Sequence, residues 1–121
     1  MDEPDAEGMR RLLAENRVVV VDYYATWCLP CKGYSPKFAR LEREMRRARP
    51  EGGFAFVSVD VDRHQDLARQ ARVLSVPTTV AWTLKKGLFG TKPMEVLRFS
   101  GDRPWPDLVR LMGETLEKHA R

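Results

Sequence analysis

The chain has 121 residues but only two cysteines and two histidines, and each scarcity removes a class of protein. Cysteines three positions apart close too small a loop to staple a fold as paired cysteines do in small secreted domains. Cys28 and Cys31 therefore serve chemistry rather than architecture. A two-residue gap between cysteines is also half of a zinc site, yet zinc takes four ligands and no second pair exists. His64 and His119 lie far apart in sequence; both read as surface residues, and no metal centre is expected. No apolar run approaches the roughly 18 residues that span a bilayer, the longest clear one being Val18–Val21, so membrane insertion is not expected. The acidic start Met1-Asp2-Glu3-Pro4-Asp5 is followed by no apolar stretch of signal-peptide length, which favours the cytoplasm. A chain cut after a removed signal or anchor would read the same, which leaves a periplasmic or membrane-anchored setting open. Internal repeats and low-complexity segments are lacking too.

Against these absences stand 43% hydrophobic and 31% charged residues, enough apolar material for a core and enough charge for solubility. A chain of this length buries most of the surface its unfolded form exposes, so residues 1–121 are expected to form a single domain. The net charge of +4 comes from 21 basic and 17 acidic residues, interleaved along most of the chain. Arg40, Arg43, Arg46, Arg47 and Arg49 could line a helix as a basic ridge, but Glu42 and Glu44 share the segment at pairing distance. An ion-paired solvated face is expected there, without nucleic-acid binding.

Periodicity divides the chain into alternating elements. Met9, Leu12 and Leu13 recur at helical spacing between Pro4 and Asn16, so residues 1–17 read as an N-terminal helical extension. Val18 to Tyr24 is β-branched and aromatic apart from Asp22, the pattern of a central strand buried on both faces. Tyr34, Phe38, Leu41 and Met45 mark a helix running from Pro30 to about Ala48, with Pro36 inside it as a kink. A second strand follows over Phe54–Val61, then a short helix over Arg63–Val73, a third strand over Val76–Leu84 and a fourth over Glu95–Phe99. Gly87, Gly90 and Pro93 make Lys85–Met94 read as a long hairpin loop. Leu108, Leu111, Met112 and Leu116 close the chain with an amphipathic helix. Tyr23, Tyr24, Trp82 and Trp105 read as packing aromatics. Strand and helix in alternation indicate an α/β domain.

The chemistry concentrates in Trp27-Cys28-Leu29-Pro30-Cys31-Lys32, at the junction of a buried strand and a helix. There a sulfur meets unpaired backbone N–H groups and the positive end of the helix dipole, which favour thiolate over thiol. Cys28 is the expected nucleophile, and Cys31, one turn on, can attack a mixed disulfide and release the substrate reduced. Pro30 pre-sets the backbone of the first turn. A carboxylate inside an apolar strand should be pushed toward its neutral form by desolvation, which marks Asp22 as a candidate base. The alternative is a strand-end aspartate facing water.

These residues resemble the thioredoxin family over roughly residues 18–117. Val21 to Cys28 resembles the family's strand into the active site, Cys28-Leu29-Pro30-Cys31-Lys32 its redox motif, Pro36 its helix kink and Val76-Pro77-Thr78 its cis-proline loop. The resemblance implies a thioredoxin-like fold, a central mixed sheet of about four strands flanked by helices. It also implies that Asp22 lies beneath Cys31 and takes its proton, and that Pro77 is cis and faces the cysteines. Val76 would then pair with an extended substrate, and Trp27 and Gly101 would complete the rim, Gly101 by close backbone approach. Without the resemblance, Pro77 would read as a trans proline opening an edge strand.

Several positions depart from the family pattern. Leu29 stands where thioredoxins proper carry glycine, adding apolar bulk beside the nucleophile and narrowing partner choice. Ser58 stands where Asp22's usual lysine partner would be. The first family strand has no counterpart, and the Lys85–Met94 hairpin is longer than expected. The resemblance implies a protein disulfide reductase without bound cofactor, monomeric, acting on disulfide-containing proteins and recycled by an external electron donor such as a reductase. A redox-sensing or partner-binding module on the same scaffold, or the soluble domain of a periplasmic oxidoreductase, remains an alternative.

Overall fold

The computed structural model describes residues 3–121. Eight elements follow one another: α1 (Ala6–Glu15), β1 (Val18–Tyr24), α2 (Leu29–Ala48), β2 (Phe54–Asp60), α3 (Gln65–Gln70), β3 (Thr78–Gly87), β4 (Gly90–Ser100) and α4 (Trp105–His119). The strands form one mixed sheet in the order β2-β1-β3-β4. β1 runs parallel to β2 and antiparallel to β3, and β3 and β4 are antiparallel neighbours. Among the described residues no strand precedes α1.

The side-chain period of two in a strand sorts β1 between two cores. Val18 and Val20 face Tyr34, Phe38, Leu41 and Met45 of α2 and Leu108, Met112 and Leu116 of α4. Val19, Val21 and Tyr23 face Met9 and Leu13 of α1 and Leu67 and Ala71 around α3. Because β1 is covered on both sides, its four valines are fully buried, each contributing roughly 1.5–3 kcal/mol of transfer free energy. By the same parity Asp22 points to the α2 side, the only carboxylate of β1. Tyr34 adds a buried hydrogen bond to Thr79 of β3, 2.7 Å between oxygens, which ties α2 to the sheet next to that aspartate.

The segment Lys85–Met94 is not the loop its glycines and proline indicate. β3 continues to Gly87 and β4 begins at Gly90, so only Leu88 and Phe89 form the turn. Pro93 is accommodated because β4 is an edge strand with no further ladder to serve. The helix expected over Arg63–Val73 contracts to α3, six residues, and Val76 and Pro77 precede β3 rather than open it.

Four of the five arginines expected as a basic ridge have partners among the described residues. Arg46 pairs with Glu42 at 2.9 Å, Arg47 with Glu44 at 3.7 Å, and Arg49 reaches Glu117 of α4 at 2.7 Å. Arg40 lies 3.9 Å over the ring of Trp105.

Candidate functional site

The end of β1 delivers the chain directly into α2. Cys28 is the residue that caps that helix, its sulfur accepting the Cys31 N–H at 3.2 Å. Pro30 occupies the first turn, where its missing N–H costs nothing. Cys28 and Cys31 form a disulfide with Cα atoms 5.3 Å apart, both buried against Ala25, Val61 and Val76. Pro36 lies within α2, removing one backbone bond a little more than a turn beyond Cys31.

A second segment closes on the sulfurs from the side. The carbonyl oxygen of Val76 is 3.5 Å from Cys28 Sγ, a contact in the disulfide that a reduced thiol could turn into a donated hydrogen bond. The Val76–Pro77 bond is cis, and the Pro77 carbonyl accepts the Gly101 N–H at 2.8 Å. Gly101 has a φ of 77°, which L side chains avoid. A side chain there would meet nothing within 4 Å. Backbone conformation, not crowding within the chain, is what calls for glycine at this position.

The rim around Cys28 is apolar and open. Trp27 is 70% exposed and Leu29 77%, and Pro30 is exposed as well. The indole N–H of Trp27 donates to Asp62 Oδ2 at 2.9 Å. Sequence reading missed Asp62, because nothing local links an aspartate after β2 to a tryptophan 35 positions earlier.

Asp22 is fully buried, which removes the solvent-facing alternative. Burial pushes its carboxyl up to about 7, the Ser35 hydrogen bond opposes this, and the negative charge of Glu3 reinforces it. Ser35 Oγ contacts Oδ2 at 3.5 Å, and Oδ1 finds no partner among the described residues. Ser35 is one helical turn beyond Cys31, so both lie on one face of α2. They also line a common pocket of 560 Å³ with Tyr24, Ala25, Thr26 and Lys32. Ser58 sits opposite Asp22 in the β1–β2 register and brings no cation.

His64 departs from its expected surface role, through contact with Glu3. The Glu3 carboxylate accepts from the Tyr24 hydroxyl and, at 2.6 Å, from the Asp60 N–H. His64 is half-buried with Nε2 4.0 Å from the same carboxylate. No group of three or more metal-ligating side chains is brought together among the described residues.

The family model described as thioredoxin matches residues 5–110. The chain belongs to the thioredoxin family. A thioredoxin of Echinococcus granulosus is 32% identical over 78 residues, covering 64% of this chain and 67% of that protein. A bifunctional thioredoxin reductase/thioredoxin of Mycobacterium leprae is 34% identical over 76 residues, 63% of this chain and 16% of that protein. The X-ray structure of Fasciola hepatica thioredoxin superposes with a TM-score of 0.61 at 32% identity, covering 95% of this chain and 94% of that one. The matched stretch thus spans about two thirds of the first of these relatives and a small part of the second. As a thioredoxin-family protein with a disulfide-forming Cys28–Cys31 pair, the chain is a thiol–disulfide oxidoreductase. No helix among the described residues is long and apolar enough to cross a membrane.

Proposed function

We propose that this chain, acting as one domain, is a protein disulfide reductase in which Cys28 attacks, Cys31 resolves and Asp22 is the base. The observation that carries the reading is the Cys28–Cys31 pair at the head of α2; Ser35, one turn beyond Cys31, contacts a buried carboxyl held near neutrality, which supports Asp22 as the base. The helix N-terminus and the Cys31 N–H stabilise negative charge on Cys28 Sγ. That sulfur attacks one sulfur of a substrate disulfide, forming a mixed disulfide and releasing the other as a thiolate. Cys31 gives its proton to Asp22 and attacks Cys28 Sγ. The Cys28–Cys31 bond forms, the mixed disulfide breaks, and the substrate leaves with both electrons of the dithiol.

A carboxyl with a pKa of about 7 can accept and return a proton at neutral pH, the condition a general base needs. An extended substrate segment pairs with the Val76 backbone and packs on Trp27, Leu29 and Pro30, with Gly101 leaving the groove open. The exposure of Trp27 and Leu29 supports this surface. Recycling requires two electrons from an external reductase; the thioredoxin reductase joined to thioredoxin in the Mycobacterium leprae relative supports that class of donor. We assign the working protein as a monomer of the cytoplasm, where thiols are kept reduced.

The deciding experiment is the equilibrium potential of the Cys28–Cys31 pair against glutathione together with insulin reduction. A value near that of thioredoxin, about −270 mV, with turnover is expected. A potential nearer the oxidising end of the family, about −120 mV, or no turnover, would overturn the reductase reading.

A further inference from the structure

β1 pairs with β3 only as far as Trp82. Beyond it, Thr83–Gly87 and Gly90–Met94 pair with each other alone, making a two-stranded ribbon at the edge of the sheet. Its turn carries Leu88, 94% exposed, and Phe89, 99% exposed. The ribbon holds Lys85, Lys86 and Lys92 and no acidic residue, and none of the three lysines forms an ion pair among the described residues. Lys85 and Lys92 stand directly opposite each other in the antiparallel register, an arrangement of like charges that weakens a strand pair. Two fully exposed large apolar side chains and an unrelieved cationic pair are both unfavourable in water. One kind of occupant relieves both.

We propose that this hairpin docks the protein on an anionic lipid surface, Leu88 and Phe89 entering the interface while Lys85, Lys86 and Lys92 meet the headgroups. Lysine stems suit this position because their methylenes lie along the apolar boundary while the ammonium stays in the polar layer. The tip is a convex two-residue turn, too small to supply the roughly 800 Å² per partner of a standard protein interface, whereas a lipid boundary needs only that the tip enter. β3 starts at Thr78, beside Pro77, and reaches the turn after ten residues, about 30 Å of extended strand. Docking therefore leaves Cys28, at the opposite end of β3 from the turn, open to substrates.

The test is co-sedimentation of the full chain with vesicles of phosphatidylcholine alone and of phosphatidylcholine mixed with phosphatidylserine. Binding to the mixed vesicles only, weakening as salt is raised, is expected. Lys85→Gln, Lys86→Gln and Lys92→Gln together should lower the vesicle affinity roughly fivefold per lysine, and Leu88→Ser with Phe89→Ser should lower it at least tenfold. Insulin reduction should be unchanged in both variants, which also shows that they fold. Equal binding to neutral vesicles, no binding, or full retention by either variant would overturn the proposal. Binding to soluble polyglutamate without binding to vesicles would overturn it in favour of an acidic protein partner.

Discussion

Asp22 and Ser58 occupy paired positions in β1 and β2, so the buried carboxyl has a hydroxyl-bearing neighbour where a cation would stabilise its ionised form. Burial therefore dominates its titration. Ser58→Lys would bring an ammonium alongside and should lower the Asp22 pKa from about 7 by about one unit or more. Carboxyl NMR titration reads this directly. An unmoved titration would mean that the new side chain is directed away from the carboxyl.

The same burial predicts the pH dependence of stability. The Asp22 pKa rises from 3.8 to about 7 on folding, so between these values the folded state holds a proton that the unfolded state has released. Stability falls as pH rises through that window, with the full cost of about 4 kcal/mol present above it and none below it. Asp22→Asn removes the titration. The variant should be more stable than the parent at about pH 8, by up to a few kcal/mol, and near parity at about pH 4. Urea midpoints at the two pH values test this; equal destabilisation at both would contradict the assigned cause.

The cysteine roles separate by trapping. Cys31→Ser keeps the attacking sulfur and removes the resolving one, so it should accumulate mixed disulfides with protein substrates; Cys28→Ser should accumulate none and abolish insulin reduction. Non-reducing electrophoresis after incubation with oxidised insulin distinguishes them. Equal trapping by both would erase the assignment, and trapping by Cys28→Ser alone would reverse it.

Trp27 is held by Asp62 through one exposed hydrogen bond. Asp62→Ala should cost stability no more than about 1 kcal/mol. It should raise the KM for insulin roughly two- to tenfold, the cost of ordering one large side chain on binding, with little change in kcat. An unchanged KM would remove Trp27 from the substrate surface or Asp62 from its control.

Much of this protein could be read along the chain. The run Val18–Tyr24 coincides with β1, and the helix expected to reach about Ala48 ends at Ala48, because valine-rich extended segments and helical spacing are signals within one element. Cys28, Pro30 and Cys31 were legible for the same reason: three residues and a helix start define the dithiol. The Lys85–Met94 ribbon was not legible, since glycine, lysine and proline carry no strand signal and the segment is extended only because β3 and β4 pair there.

What the sequence by itself determined is therefore the local part: the alternation of elements, the apolar stripes that cover the sheet and the dithiol at a helix start. What only the tertiary structure decided is the surroundings of that dithiol. Val76 reaches Cys28 across 48 positions, Asp62 reaches Trp27 across 35, and Ser35 meets Asp22 across 13. Desolvation of Asp22 likewise depends on α2 closing over β1. Hydrogen bonds and burial are set by distance in space, and chain separation of this size leaves no local pattern from which they could be read.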